Sequence, residues 1–254
     1  MTLPKPSPDW ALFLDFDGTL VEIAERPDAV IVSEDLSHML GRVSDALGGA
    51  LAVVSGRRIE DIDRYLAPLV PPVAGLHGQE YRLADGTRTG IPIPEGLFDA
   101  ARAEFARFAE KRHGVSLEDK GTALTLHFRE APDQETACGD VARAIVDQAN
   151  GGIELMAGKM VFELKPAGIN KGRVVAEIMQ TPPFVGRRPV FIGDDVTDEF
   201  GFDTVNRLGG ESIRVGPKGG SAAMHSVETV PALLMWLAEL PDRIQPIQTP
   251  QPAS

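Results

Sequence analysis

Short apolar runs alternate with segments of helical spacing from Ala11 onward. ALFLDF (Ala11 to Phe16) reads as a strand, and Leu36, Met39, Leu40, Val43 and Leu47 mark one face of an amphipathic helix. ALAVVS (Ala50 to Ser55) reads as a second strand, IEDIDRYL (Ile59 to Leu66) as a short helix and PVAGLH (Pro72 to His77) as a third strand. The same grammar returns near Lys171 with helix KGRVVAEIMQ, strand PVFIGD, a helix from Asp198, strand SIRVG and a last helix around PALLMWLAEL. Alternation of this kind predicts a parallel α/β sheet of Rossmann-like type, with functional groups at the carboxyl ends of its strands.

The segment between the two blocks follows a different pattern. After an Asp85-Gly86 turn signal comes a helix with Phe98, Ala101, Phe105 and Phe108 on one face, then strands VSLED and ALTLHFR. A helix carrying Cys138, Val141, Ala142 and Ile145 follows, and then strands IELMAG and MVFELKP. The order αββαββ predicts a four-stranded antiparallel sheet with helices on one face. Leu124, Leu126 and Phe128 alternate with Thr125, His127 and Arg129, and Met160, Phe162 and Leu164 with Val161, Glu163 and Lys165, so the other face is expected to be free for a polar ligand. The expected organisation is a core over 1–87 and 168–240, an inserted α/β cap over 88–167 and a disordered Pro- and Gln-rich tail over 241–254.

Composition narrows the function classes. A net charge of −12 argues against a nucleic-acid partner, because backbone binding needs clustered Lys and Arg. No apolar run approaches the roughly 20 residues of a membrane-spanning helix. The N-terminal stretch lacks a signal-peptide layout, and the lone Cys138 excludes an internal disulfide, so a cytoplasmic location is expected. Cys138 reads as a small core residue.

Two strand ends carry the chemistry. Asp15 and Asp17 follow the first apolar run; one carboxylate can attack phosphorus while the other protonates the leaving oxygen and later activates water. At the exit of PVFI, the stretch GDDVTDE groups Asp194, Asp195 and Asp198, hard oxygen donors that beside Asp15 suit Mg²⁺, with Mn²⁺ not distinguished. Asp198 also suits a helix cap. Ser55 reads equally as a phosphate ligand and as a helix N-cap. Lys171, in GINKG at a helix start where the macrodipole disfavours a cation, reads as either an anion partner or an exposed lysine.

LDFDGTL, VVSGR, NKG and FIGDDVTDE, in this order, resemble the four signature motifs of the haloacid dehalogenase superfamily. AGLHGQE, LHFREAP, GKMVFELKPAGINKG and GRRPVFIGDDVTDEFGF resemble one of its families, the trehalose-6-phosphate phosphatases, so that only the first ten residues and the tail after Leu240 lie outside the likeness. The resemblance implies a Mg²⁺-dependent phosphatase that hydrolyses trehalose 6-phosphate through an aspartyl-phosphate, the last step of trehalose formation. It implies Asp15 as nucleophile, Asp17 as general acid/base, and Ser55 and Lys171 as holders of the phosphoryl group. Metal would sit on Asp15, the Asp17 carbonyl and Asp194, with Asp198 close by.

Sugar selection must come from elsewhere. On the polar face of the insert stand His127, Arg129, Lys159, Glu163 and Lys165, and core loops add Arg57, His77 and Glu80; such groups recognise hydroxyls. His38 and His113 are expected to be surface or core-satisfying residues. Segments near Thr87 and Gly168 are expected hinges for cap closure. The rival readings are a phosphatase for another phosphosugar such as sucrose 6-phosphate, and a non-catalytic phosphosugar sensor, which the intact motif set disfavours. The chain shows no domain that would make its own substrate, so a separate trehalose-6-phosphate synthase is the implied functional partner.

Overall fold

The computed structural model describes residues 3–23, 30, 32–217 and 219–244. In chain order these form β1 (Trp10–Leu14), α1 (Glu34–Ala46), β2 (Leu51–Val54), α2 (Ile59–Leu66), β3 (Val73–Gly75), β4 (Glu80–Arg82) and β5 (Arg88–Gly90). There follow α3 (Asp99–Glu110), β6 (Ser116–Asp119), β7 (Leu124–His127), α4 (Glu135–Gln148), β8 (Ile153–Gly158) and β9 (Val161–Pro166). The chain closes with α5 (Lys171–Ile178), β10 (Arg188–Gly193), α6 (Glu199–Arg207), β11 (Glu211–Val215), β12 (His225–Val227) and α7 (Val230–Arg243). Met1–Gly90 with Asn170–Ser254 make one compact unit, and Ile91–Ile169 make the other.

The first unit is built on an eight-stranded sheet in the order β12-β11-β10-β1-β2-β3-β4-β5. Every neighbouring pair from β12 to β3 is parallel, and β4 and β5 add an antiparallel edge. β1 lies in the middle and is buried along its whole length. Its side chains divide by the period of a strand. Trp10, Leu12 and Leu14 join the cluster containing Leu40 of α1, Ile62 of α2 and Leu237 of α7. Ala11 and Phe13 join Val174 and Val175 of α5 and Phe202 of α6 on the other face. Each such large apolar side chain contributes about 1.5–3 kcal/mol by leaving water. That burial holds the end of β1 in place. Asp63 of α2 and Arg82 of β4 pair through two bonds of 2.7 Å, which ties α2 to the sheet edge.

The α/β class agrees with the sequence reading, but several elements differ. β4, β5 and β12 have no counterpart in the sequence-based assignment. Each is three residues long, β5 and β12 are the two edges of the sheet, and β5 is exposed throughout, so no apolar alternation marks them. Because β5 pairs with β4 through Tyr81 and Thr89, the core runs to Gly90 and not to residue 87. PVAGLH ends as a strand at Gly75, and Leu76 and His77 take positive φ values in a tight turn. α7 continues through Pro241 to Arg243, past the expected start of the tail; Leu240 is buried against the α1 face, and a proline in a last turn forfeits only one backbone bond. The remainder of the tail, from 245, lies outside the described residues.

The second unit holds a four-stranded antiparallel sheet in the order β6-β7-β9-β8. Leu124, Leu126, Phe128, Phe162 and Leu164 pack with Phe105 of α3 and with Cys138 and Ala142 of α4, as the alternation predicts. The opposite face is less open than expected. Thr125, Glu163 and Lys165 are buried, and each bonds to neighbours in its own unit. Among the described residues no helix is long and apolar enough to cross a membrane.

Candidate active site

Four strand or helix ends of the first unit bring the predicted chemical groups together. Asp15 follows β1, and its backbone N–H donates to the Ile192 carbonyl of β10 at 2.9 Å. Its carboxylate is buried, and Oδ1 accepts from Lys171 Nζ at 2.6 Å. Lys171 is the first residue of α5, where Asn170 caps the helix by accepting from Arg173 N–H. The same Nζ donates to Asp198 Oδ1 at 2.7 Å. So the cation at the helix start is buried between two carboxylates and is not an exposed lysine.

Asp198 accepts on both oxygens. Its Oδ2 accepts the backbone N–H groups of Asp194 and Asp195 at 3.0 and 2.9 Å, and Oδ1 holds Lys171. Asp198 completes a capping box with Asp195 on the 3₁₀ turn Val196–Asp198 that leads into α6, so it is both a cap and a tie between the β10 exit and Lys171. Asp194 is brought over Gly18. A Cβ built on Gly18 would lie 2.1 Å from Asp194 Oδ2, and Gly18 has φ +79°, so both the contact and the backbone demand glycine. Thr19 contributes a hydroxyl 3.5 Å from Asp15 Oδ2 and 3.4 Å from Asp194 Oδ1.

Ser55 is buried at the end of β2. Its Oγ accepts from Arg57 N–H at 3.1 Å, which leaves the hydroxyl proton as what it offers an incoming oxygen. The first helical residues of α2 follow Arg58, so Ser55 is not that helix's cap. Asp17 is gripped by Arg57, with Nε on Oδ2 and Nη2 on Oδ1, both at 2.7 Å. His77 donates its N–H to the Ser55 carbonyl at 2.9 Å, and its ring lies against Gly56, where an added Cβ would meet ring atoms at 2.7 Å. Glu80 accepts the Ile59 N–H at 3.0 Å through Oε1, supplying α2 with the first-turn acceptor that Arg58 does not provide.

The other sugar-binding candidates belong to the second unit. Glu163 Oε2 accepts from Thr125 at 3.3 Å and from Lys120 at 3.4 Å. Lys165 donates to the Ile169 carbonyl at 3.0 Å and pairs with Glu154 at 2.8 Å. His127 meets Glu118 at 2.8 Å, while Arg129 and Lys159 are exposed. Thr19, Lys120 and Glu154 were not singled out in the sequence reading. Only Thr19 carried a signal, as the hydroxyl directly after the Asp-Phe-Asp-Gly turn. Glu154 reaches Lys165 through the pairing of β8 with β9, and Lys120 reaches Glu163 from the turn after β6; neither has a local mark.

Asp15, Asp194 and Asp198 each offer one oxygen, all within 4.8 Å of one another. Three carboxylates against one buried ammonium leave an excess of negative charge, and oxygen donors of this kind fit a divalent cation. Asp198 already accepts three hydrogen bonds, so Asp15 and Asp194 are the better ligands. Burial, and then the charge of Asp198, push Asp15 well above the usual carboxylate range, with Lys171 opposing. Burial tends to lower Lys171, but Asp15 and Asp198 outweigh it and the ammonium is raised overall. Burial and the charges of Asp198 and Asp195 raise Asp194 to about 6.

A carboxyl raised in the folded state favours folding when protonated and opposes it when ionised. The metal-free protein should therefore lose stability as pH rises from the ordinary 3.8 through about 6, and a cation should restore it. Melting curves with Mg²⁺ or with chelator should show a larger metal-induced gain at about pH 7.5 than at about pH 5. Equal gains would mean that these carboxylates are not the ligands.

The chain has counterparts among known proteins. The trehalose-phosphatase family profile matches residues 13–229. A probable trehalose-phosphate phosphatase of Sinorhizobium fredii is 45% identical over 91% of this chain and 88% of its own length. The trehalose-6-phosphate phosphatase of Escherichia coli is 39% identical over 95% and 90%. Among solved structures, the C-terminal domain of the C. albicans trehalose-6-phosphate phosphatase superposes with a TM-score of 0.80 at 23% identity, covering 93% of each chain.

Proposed function

Because the chain belongs to the trehalose-phosphatase family, we propose that it hydrolyses trehalose 6-phosphate to trehalose and inorganic phosphate by way of a phosphorylated Asp15. The observation that carries the reading is the buried Asp15 carboxylate, held by Lys171 at 2.6 Å beside Asp194 and at the end of the central strand. Lys171 and Ser55 are the groups that hold phosphoryl oxygens. In the first step an Asp15 oxygen bonds to phosphorus, the sugar-oxygen bond to phosphorus breaks, and the Asp17 carboxyl gives its proton to the sugar oxygen. In the second, water bonds to phosphorus as the Asp15 bond breaks, and Asp17 takes the water's proton.

Asp15, Asp194 and the Asp17 carbonyl would hold Mg²⁺. Once bound it would offset the mutual repulsion of Asp15 and the phosphate. Glu163 and Lys165, with His127, Arg129 and Lys159, are proposed to select the disaccharide, their polar groups already oriented by Lys120, Thr125 and Glu154. A separate synthase would supply the substrate, in the cytoplasm.

Free phosphate should appear from trehalose 6-phosphate in the presence of Mg²⁺ and not with chelator. Sucrose 6-phosphate and glucose 6-phosphate should be turned over at least about 100-fold less efficiently, because a site built to bond particular hydroxyls leaves buried polar groups unpaired with the wrong sugar. Comparable turnover of all three would retain the phosphatase and discard the proposed sugar selectors.

A further inference from the structure

Resting on that reading, we infer that Arg57 is a positioning residue for Asp17, not a contact for the sugar. Three features of the first unit carry this. The guanidinium grips both Asp17 oxygens at 2.7 Å through Nε and Nη2, a planar fork that fixes the orientation of the carboxylate as well as its place. Its remaining edge points Nη1 to the Tyr65 hydroxyl at 3.5 Å, so the donors on both edges face groups of the protein.

The guanidinium is itself held still. It lies 5.2 Å from the centroid of the Tyr65 ring and 5.8 Å from that of Phe16, and these two rings stack on each other at 5.6 Å. Its side chain is only 14% exposed, whereas that of Asp17 is 36% exposed. The fork occupies one lone-pair position on each Asp17 oxygen and leaves the others to a reacting group. Backbone bonding adds to the anchoring, since Asp17 bridges to Val21 and the Gly18 N–H donates to the Val21 carbonyl at 2.7 Å.

The chemistry explains why such a clamp matters. Asp17 has to pass a proton to the sugar oxygen in one half-reaction and take one from water in the next. Both transfers need the same carboxyl at hydrogen-bond reach of the phosphorus substituent opposite Asp15. A freely rotating side chain would occupy that geometry only part of the time. Lysine in place of Arg57 keeps the charge but has no fork.

The test uses Arg57→Lys and Arg57→Ala in the full chain with Mg²⁺, each checked for a cooperative melt. With trehalose 6-phosphate, kcat should fall about 10- to 100-fold in both variants while KM changes less than about 3-fold. With aryl phosphates of graded leaving-group acidity, kcat/KM should fall more steeply as the leaving group becomes a poorer one, because only poor leaving groups need the proton. A rise in KM at unchanged kcat would make Arg57 a substrate contact and overturn the inference. So would an unaltered leaving-group dependence, or full rescue by Lys, which stays available as the test if the alanine variant does not fold. Wild-type protein that hydrolyses aryl phosphates but not trehalose 6-phosphate would refute the proposed substrate, and the leaving-group series would still decide the role of Arg57.

Discussion

Asp15→Asn should lower turnover of trehalose 6-phosphate by at least about 10⁴-fold while the protein stays folded. The amide matches the carboxylate in shape but cannot form an acyl phosphate, so the pathway through residue 15 is closed. Stability should change little, because burial and Asp198 already raise Asp15 and disfavour its charge, and the Lys171 ammonium keeps Asp198 at 2.7 Å. Turnover measured beside a thermal melt separates the two effects. Acid-quenched wild-type reactions should contain phosphate covalently bound to the protein, and the variant none. Wild-type turnover by the variant would remove Asp15 as the nucleophile.

A different signature is expected for Lys171→Met, which should damage stability as much as activity. Its ammonium is buried and is the shared partner of Asp15 and Asp198, and stripping the partner from a buried ion pair costs about 3–5 kcal/mol. The loss should depend on pH with a definite sign. Lys171 opposes the burial and the Asp198 charge that hold Asp15 above the usual carboxylate range, so without the cation Asp15 rises further; the penalty is present at neutral pH and shrinks as acid protonates it. Urea unfolding at about pH 7.5 and about pH 4.5 should show the variant well below the wild type at the first and closer to it at the second. Activity should also fall by about 10³-fold or more, since Asp198 positions the Asp194 and Asp195 backbone from the same triad. A variant as stable as wild type at neutral pH would mean that Lys171 is not the counter-charge that holds this site together.

These effects lie on residues whose type and strand-end position could be read directly, and that reflects how the site is built. Asp15, Ser55, Lys171 and Asp194 stand where an apolar strand ends or a helix begins, so the punctuation of the sequence locates them. Parallel pairing of β1 with β2 and β10 then brings those ends to one edge of the sheet. Sugar selection is harder to read. Glu163 and Lys165 were recognisable as polar residues on an alternating strand, but Lys120, in the turn after β6, and Glu154, on β8, which bond to them, come from elsewhere in the chain.

The sequence alone determined the α/β class, the insertion between the second and third motifs, and which residues are proposed to handle phosphate, because hydrophobic period and strand-end polarity are local properties of the chain. Tertiary structure decided what each of those residues bonds to. Asp198 ties Lys171 to the β10 exit, Glu80 accepts at the start of α2, and Arg57 grips both oxygens of Asp17. Each of these partnerships joins residues from separate elements, and the orientation of a fork or a shared carboxylate follows from packing that brings those elements within about 3 Å of hydrogen-bond reach, which no local pattern encodes.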